Sequence, residues 1–304
     1  MLFFIMAALA GGLEADTSQG ASASPAAVVF NRGGDLYAVA LDGSRTVRLT
    51  RTRTAEEQPA VSRDATMIAF ARAGGISTMR IDGSRRRIVT RGADSSPAWA
   101  PDGQTIYFVR YRRNRFGASC GSIFAVSATG QNLRRVTDAF ANDSVHGETD
   151  EDPAVSPDGR RIAFSDWDAC EGGTSSPRLR VVDPAGRPTQ DLAKLRNNGY
   201  FPDPAHYSPA WSPDGNRLAF FKNSDLNIAN RDGSSERLVV RGQGVLIYEP
   251  PAWSPDGRWI AFTKHVSGRS LLLVVHPDGT GLRRLAQTRS GGYSLGGWLP
   301  RLPQ

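Results

Sequence analysis

Lysine is nearly absent from this 304-residue chain, occurring only at positions 194, 222 and 264, so the net charge of +7 rests on arginine. A basic chain invites a nucleic-acid reading, which needs the charge clustered among base-stacking aromatics. Here Arg48, Arg87, Arg135, Arg237 and Arg284 recur at one strand position of a repeat, the pattern of a solvated strand face. Nucleic acid is therefore set aside as a partner. Cysteine is scarcer still: Cys120 and Cys170 are the only two. They lack zinc-site spacing and exclude a disulfide-dense scaffold, while permitting one bridge in an oxidising compartment. Apart from one short stretch at the N-terminus the chain has no long apolar run, and a membrane-spanning helix needs about 20 such residues. No membrane span is expected. Histidine occurs four times, at scattered positions that give a catalytic triad no support. No cofactor is implied.

The short apolar stretch runs from Leu2 to Ala10 and ends in the small-x-small triplet Ala8-Leu9-Ala10. It reads as an export signal, although no Lys or Arg precedes it. Residues 14–25, rich in Ser, Ala, Thr and Gly, read as a flexible linker. The expected division is a signal peptide and linker over 1–25 and one folded domain over 26–304, in a periplasmic or extracellular protein.

What is abundant is repetition. Pro59-Ala60-Val61-Ser62, Pro97-Ala98-Trp99-Ala100, Pro153-Ala154-Val155-Ser156, Pro209-Ala210-Trp211-Ser212 and Pro251-Ala252-Trp253-Ser254 align with one another. Four of these continue into Pro-Asp-Gly, and the first has Arg63-Asp64-Ala65 instead. Each is followed by an apolar segment ending in Phe70, Phe108, Phe164, Phe220 or Phe262, whose β-branched and aromatic content predicts strands. A third strand usually runs into an Asp-Gly turn, and a fourth closes the unit. Four antiparallel strands about every 40 residues are the signature of a propeller blade. The N-terminus supplies second, third and fourth strands without a first, and Gly296-Gly297-Trp298-Leu299-Pro300 aligns with the missing first strand. The expectation is an all-β, six-bladed propeller closed by the strand around Trp298, which removes a free edge.

The recurring Pro-Ala-Trp-Ser-Pro-Asp-Gly with Ile-Ala-Phe after it resembles the TolB-like propeller family of exported bacterial proteins, over about residues 26–300. The resemblance implies a non-catalytic scaffold. The motif builds turns and strands, and it transfers no catalytic residue.

The first-to-second and third-to-fourth connections are short, whereas the longer insertions fall between second and third strands (111–122, 167–177) or between blades (138–152, 195–208, 241–249, 287–295). Long loops on a rigid scaffold are where recognition resides. One rim is thus expected to bind a protein or extracellular ligand, through Trp167, Tyr200, Phe201, His206, Tyr207 and Tyr248. The alternative for each is an aromatic that caps the core. Cys120 and Cys170 start from the same rim in adjacent blades and are expected to form a disulfide, in a monomeric protein.

Three further patterns bear on chemistry. Gly117-Ala118-Ser119-Cys120-Gly121 matches the G-x-S-x-G nucleophile pattern but lies in an all-β repeat, where the strand-to-helix elbow has no place. Asp143, Glu148 and Asp150 belong to an acidic stretch whose order does not match a calcium-binding EF-hand loop, leaving a solvated loop beside a metal site as readings. Against the scaffold stands a propeller hydrolase or lyase acting on a carbohydrate or peptide at the channel mouth, for which paired carboxylates there would speak.

Overall fold

The computed structural model describes residues 27–114, 117–138, 149–167, 177–189, 191–192, 195, 205–242, 249–288 and 292–303. Six antiparallel sheets form a six-bladed β-propeller. Blade 1 orders Leu295–Leu299, Ala27–Arg32, Asp35–Ala40 and Thr46–Arg48 from the channel outward. Blade 2 consists of Glu56–Val61, Met67–Arg72, Gly75–Arg80 and Arg87–Ile88. Blade 3 is built from Asp94–Trp99, Thr105–Arg113, Ser119–Ser127 and Arg134–Arg135. Blade 4 has Thr149–Val155, Ile162–Trp167 and Arg178–Val182, with a bridge from Val182 to Pro188 at its outer edge. Blade 5 runs through His206–Trp211, Arg217–Lys222, Asp225–Asn230 and Arg237–Val240. Blade 6 contains Ala252–Trp253, Ile260–Val266, Arg269–Val275 and Arg283–Thr288.

The ring closes as its sequence implies. Val28 pairs with Trp298 and Ala27 with Leu299, so the innermost strand of blade 1 comes from the far end of the chain. Each of the six hydrophobic cores is shared by two neighbouring blades. The repeat phenylalanines Phe30, Phe70, Phe108, Phe164, Phe220 and Phe262 are all at most 1% exposed, and each packs toward the preceding blade. Burying one such ring contributes about 1.5–3 kcal/mol.

Tryptophans add directional links. The indole N–H groups of Trp99, Trp211, Trp253 and Trp298 donate to the carbonyls of Ala60, Ala154, Ala210 and Ala252 in the preceding blade, at 2.9–3.2 Å. Val61 and Val155 occupy this position in blades 2 and 4, so those two junctions lack the indole link and are joined by packing and by other bonds, such as Asn31 Nδ2 to the Glu56 carbonyl and the Tyr111 hydroxyl to Glu151.

The short-turn rim is built by one device. Ser62, Ser156, Ser212 and Ser254 donate their hydroxyls to the carboxylate two residues on, at 2.5–2.6 Å. The same serine oxygens accept the amides of Met67, Arg161, Arg217 and Trp259 across the turn. In the third-to-fourth turns glycine permits contact between blades: a Cβ on Gly186 (φ +84°) would overlap the Val136 carbonyl oxygen of blade 3.

One insertion is more regular than its sequence suggests. Residues 105–113 and 119–127 pair continuously from Thr105↔Ser127 to Arg113↔Ser119, so most of 111–122 is hairpin rather than loop. Ser119 therefore begins a strand, without the elbow that a nucleophile requires.

Trp298→Ala should remove both a buried ring and the link to Ala252, costing about 3–5 kcal/mol. Denaturant unfolding should reveal a single lowered transition. A partial transition confined to blade 1 would contradict shared closure.

Candidate functional site

The six innermost strands line one central channel. Its cavity of about 300 Å³ is walled by alanines and prolines of blades 2 to 6 and by Gly296 and Gly297 of blade 1, with Gln58, Ser96, Asp152, Glu249 and Leu295 at the end belonging to the insertion-bearing rim. Among the described residues no Lys, Arg or His lines it.

The mouth arises from the residue preceding the repeated Pro-Ala. Gln58, Ser96, Asp152 and Ser208 hold left-handed φ of 46–54°. The ladder slips at the same place in each strand, between Glu57 and Ala60, Ser95 and Ala98, Glu151 and Ala154, and Tyr207 and Ala210. Such bulges re-aim one side chain per strand. The re-aimed groups link blade to blade: the Ser96 amide donates to Gln58 Oε1 at 2.9 Å, and the hydroxyls of Ser96 and Ser208 donate to Asp152 at 3.4 and 2.7 Å.

Carboxyl groups gather here. Burial lifts the Asp152 carboxyl well above the usual range, and repulsion from Glu151 and Glu249 adds to it, against the opposing serine hydrogen bonds. Burial also pushes Glu249 up to about 7, with Glu57 adding repulsion and a bond from Ser294 (3.1 Å) opposing. Glu151 is raised by burial as well, although it accepts the Tyr111 hydroxyl at 2.8 Å. The neighbouring Trp167 indole favours the Glu151 carboxylate too, but lies outside hydrogen-bond geometry.

The sequence-derived candidates divide. Trp167 ends the second strand of blade 4, half-buried beside Glu151. His206 and Tyr207 are packed away from solvent: His206 is 0% exposed against Phe220, and the Tyr207 hydroxyl donates to the Asn223 carbonyl. These two serve the core of blade 5 and present no open surface, because the strand begins at His206, inside the span expected to be loop. Tyr200, Phe201, Tyr248, Asp143, Glu148, Cys170 and the segment 1–25 lie outside the described residues. Asp150 is buried in the innermost strand of blade 4, and among the described residues no group of three or more His, Cys, Asp or Glu is arranged to hold a metal. The mouth residues escape a reading of the repeat because the copies align from their proline onward, and the position just before it is where they differ: Gln, Ser, Asp, Ser, Pro250 and Leu295.

Similar solved structures share this architecture. The chain superposes on TolB from Acinetobacter baumannii with a TM-score of 0.65 at 20% identity, over 92% of this chain and 67% of that one. The fold is a six-bladed propeller of the kind seen in TolB. A TolB from Agrobacterium tumefaciens gives 0.63 at 16% identity, over 87% and 89% of the two chains. The propeller fold extends further, since a chain of a nidogen/laminin complex gives 0.64 at 11% identity, over 90% and 99%. Identities this low show the fold alone. In sequence, an uncharacterized protein of Agrobacterium fabrum is 27% identical over 134 residues, 43% of this chain and 40% of its own length. No protein-family model matches. Among the described residues no helix is long and apolar enough to cross a membrane.

Glu249 carries a pH signature. Its folded pKa is raised, so the folded state binds the extra proton and stability declines as pH rises from about 4.5 to about 7, then levels off. Glu249→Gln should abolish up to roughly 3 kcal/mol of that decline. Unfolding titrations across this window check it, and parallel curves for both proteins would refute the assignment.

Proposed function

We propose that this TolB-like propeller is an exported, non-catalytic scaffold that binds a protein or extracellular ligand at the channel mouth on its insertion-bearing rim. The observation carrying this reading is the convergence of Asp152 and Glu249, with Glu151 beside Asp152, on a channel-mouth cavity that no basic side chain lines among the described residues. Electrostatic complementarity favours a partner whose contacting group is basic. Trp167 and Tyr111 stand beside the carboxyls as aromatic anchors. The apolar Leu2–Ala10 stretch supports export.

A disulfide between Cys120 and Cys170 belongs to the same reading. Cys120 is 0% exposed in the hairpin of blade 3, and no free cysteine occurs among the described residues. Intact mass measured without reductant should be that of the oxidised chain. Two alkylatable thiols would remove the bridge.

The second reading, a hydrolase or lyase, draws on the same carboxyl groups, because raised pKa values suit general acids. The readings separate experimentally. Captured from envelope extracts of the producing cells, a partner should be retained by the wild type and lost with Trp167→Ala or Glu249→Gln. Turnover of an oligosaccharide or peptide that disappears in Asp152→Asn would overturn the scaffold in favour of the enzyme.

A further inference from the structure

On the opposite, short-turn rim, a concavity of about 500 Å³ opens between blades 5 and 6. Arg217, Arg237, Arg258 and His276 line it, together with Asp278 and Thr280. Arg217 begins the second strand of blade 5 and Arg237 its outermost strand, while Arg258 and His276 come from two turns of blade 6. Four elements of two blades thus bring three guanidinium groups and an imidazole to one place.

None of the three guanidinium groups lies within 4 Å of a carboxylate among the described residues. The nearby acids are already engaged. Asp278 Oδ1 accepts the amide and hydroxyl of Thr280 at 2.8 and 2.6 Å, and Asp214 accepts the Ser212 hydroxyl and the Asn216 amide. The corresponding arginine of blade 4 differs: Arg161 pairs with Asp158 at 2.9 Å and with Asp191 at 2.8 Å. Asp214 and Asp278 act electrostatically on Arg217 and Arg237, but neither closes an ion pair with them as Asp158 and Asp191 do with Arg161.

Arg217 and His276 are also held in place. Arg217 lies with its guanidinium 4.9 Å from the Trp253 ring centre. Stacking uses the face of the group and leaves its in-plane N–H donors for an acceptor. His276 stacks on Trp259 with centroids 3.7 Å apart, and its Nδ1 donates to the Arg258 carbonyl at 2.8 Å. Gly281 leaves space for that ring, since a Cβ there would come within 2.5 Å of it.

We propose that this concavity between blades 5 and 6 is a binding site for a tetrahedral oxyanion, a phosphate or sulfate group held by Arg217, Arg237 and Arg258. Guanidinium groups match such oxygens in paired, charge-assisted hydrogen bonds. The volume exceeds that of a bare phosphate, leaving room for the group to be carried on a larger molecule with the same contacts. The site is independent of the channel mouth, and its failure would leave that reading untouched.

Calorimetric titration of the full chain with inorganic phosphate at low ionic strength tests the site, alongside co-sedimentation with phosphatidylcholine vesicles with and without phosphatidylglycerol. Phosphate affinity should fall roughly tenfold or more in Arg237→Gln and in Arg258→Gln. Both side chains are exposed, so the variants should melt with the wild type. Arg160→Gln, on the matching turn of blade 4, controls for net charge and should bind as the wild type does. Vesicle binding with the same variant pattern but no response to inorganic phosphate assigns the oxyanion to a lipid headgroup. Equal weakening in all three variants, or binding of neither probe, overturns the proposal.

Discussion

Every blade in this molecule has two apolar faces and can cover neither alone. The contact that organises the structure is the one between a repeat phenylalanine and the blade before it, made six times around a closed circle. An open array would leave one face at each end in water, which is why solenoids need capping repeats. A ring has no ends, provided its first and last strands meet in one sheet. The pairing of Val28 with Trp298 meets that condition and couples the chain's most distant segments into the same cooperative unit.

The two rims then diverge for a physical reason. On the short-turn rim each copy must solve the same problem, reversing the chain while satisfying buried amides, and in four of the six blades a Ser–Asp pair solves it in nearly the same atoms. On the other rim the chain must pass between blades, and there the repeats are free to differ. Asp152 sits among Gln58, Ser96 and Ser208 at equivalent backbone positions, so the scaffold presents different chemistry on one repeated bulge. Rigidity and variety thus come from neighbouring residues of one strand.

The same division decides what is legible in the sequence. Blade number, strand order and the closing strand can be read there because they follow from periodic apolar residues and turn chemistry. The mouth cannot, since a bulge that redirects Asp152 leaves no periodic trace. His206 and Tyr207 mislead for the opposite reason: they follow a long insertion in sequence, yet ladder pairing with Lys222 and Phe221 draws them into blade 5. The hairpin of blade 3 likewise reads as a loop, because the polarity of Arg110, Arg112 and Arg113 hides strands that pair to their tips.

The chain concentrates acid in its lumen and base on its turns, and the two concentrations differ in how they can be relieved. A buried carboxyl can take up a proton, and burial raises both Asp152 and Glu249 in that direction, so the mouth has a way to lessen its own repulsion. Arginine has no such recourse, because its guanidinium keeps its proton under any condition in which the protein folds. Where arginines converge, relief must come from a carboxylate, as at Arg161, or from dilution into solvent. Between blades 5 and 6 Asp214 and Asp278 act on Arg217 and Arg237 without closing an ion pair, since their oxygens are tied into turns, and the proposed oxyanion would complete the counter-charge.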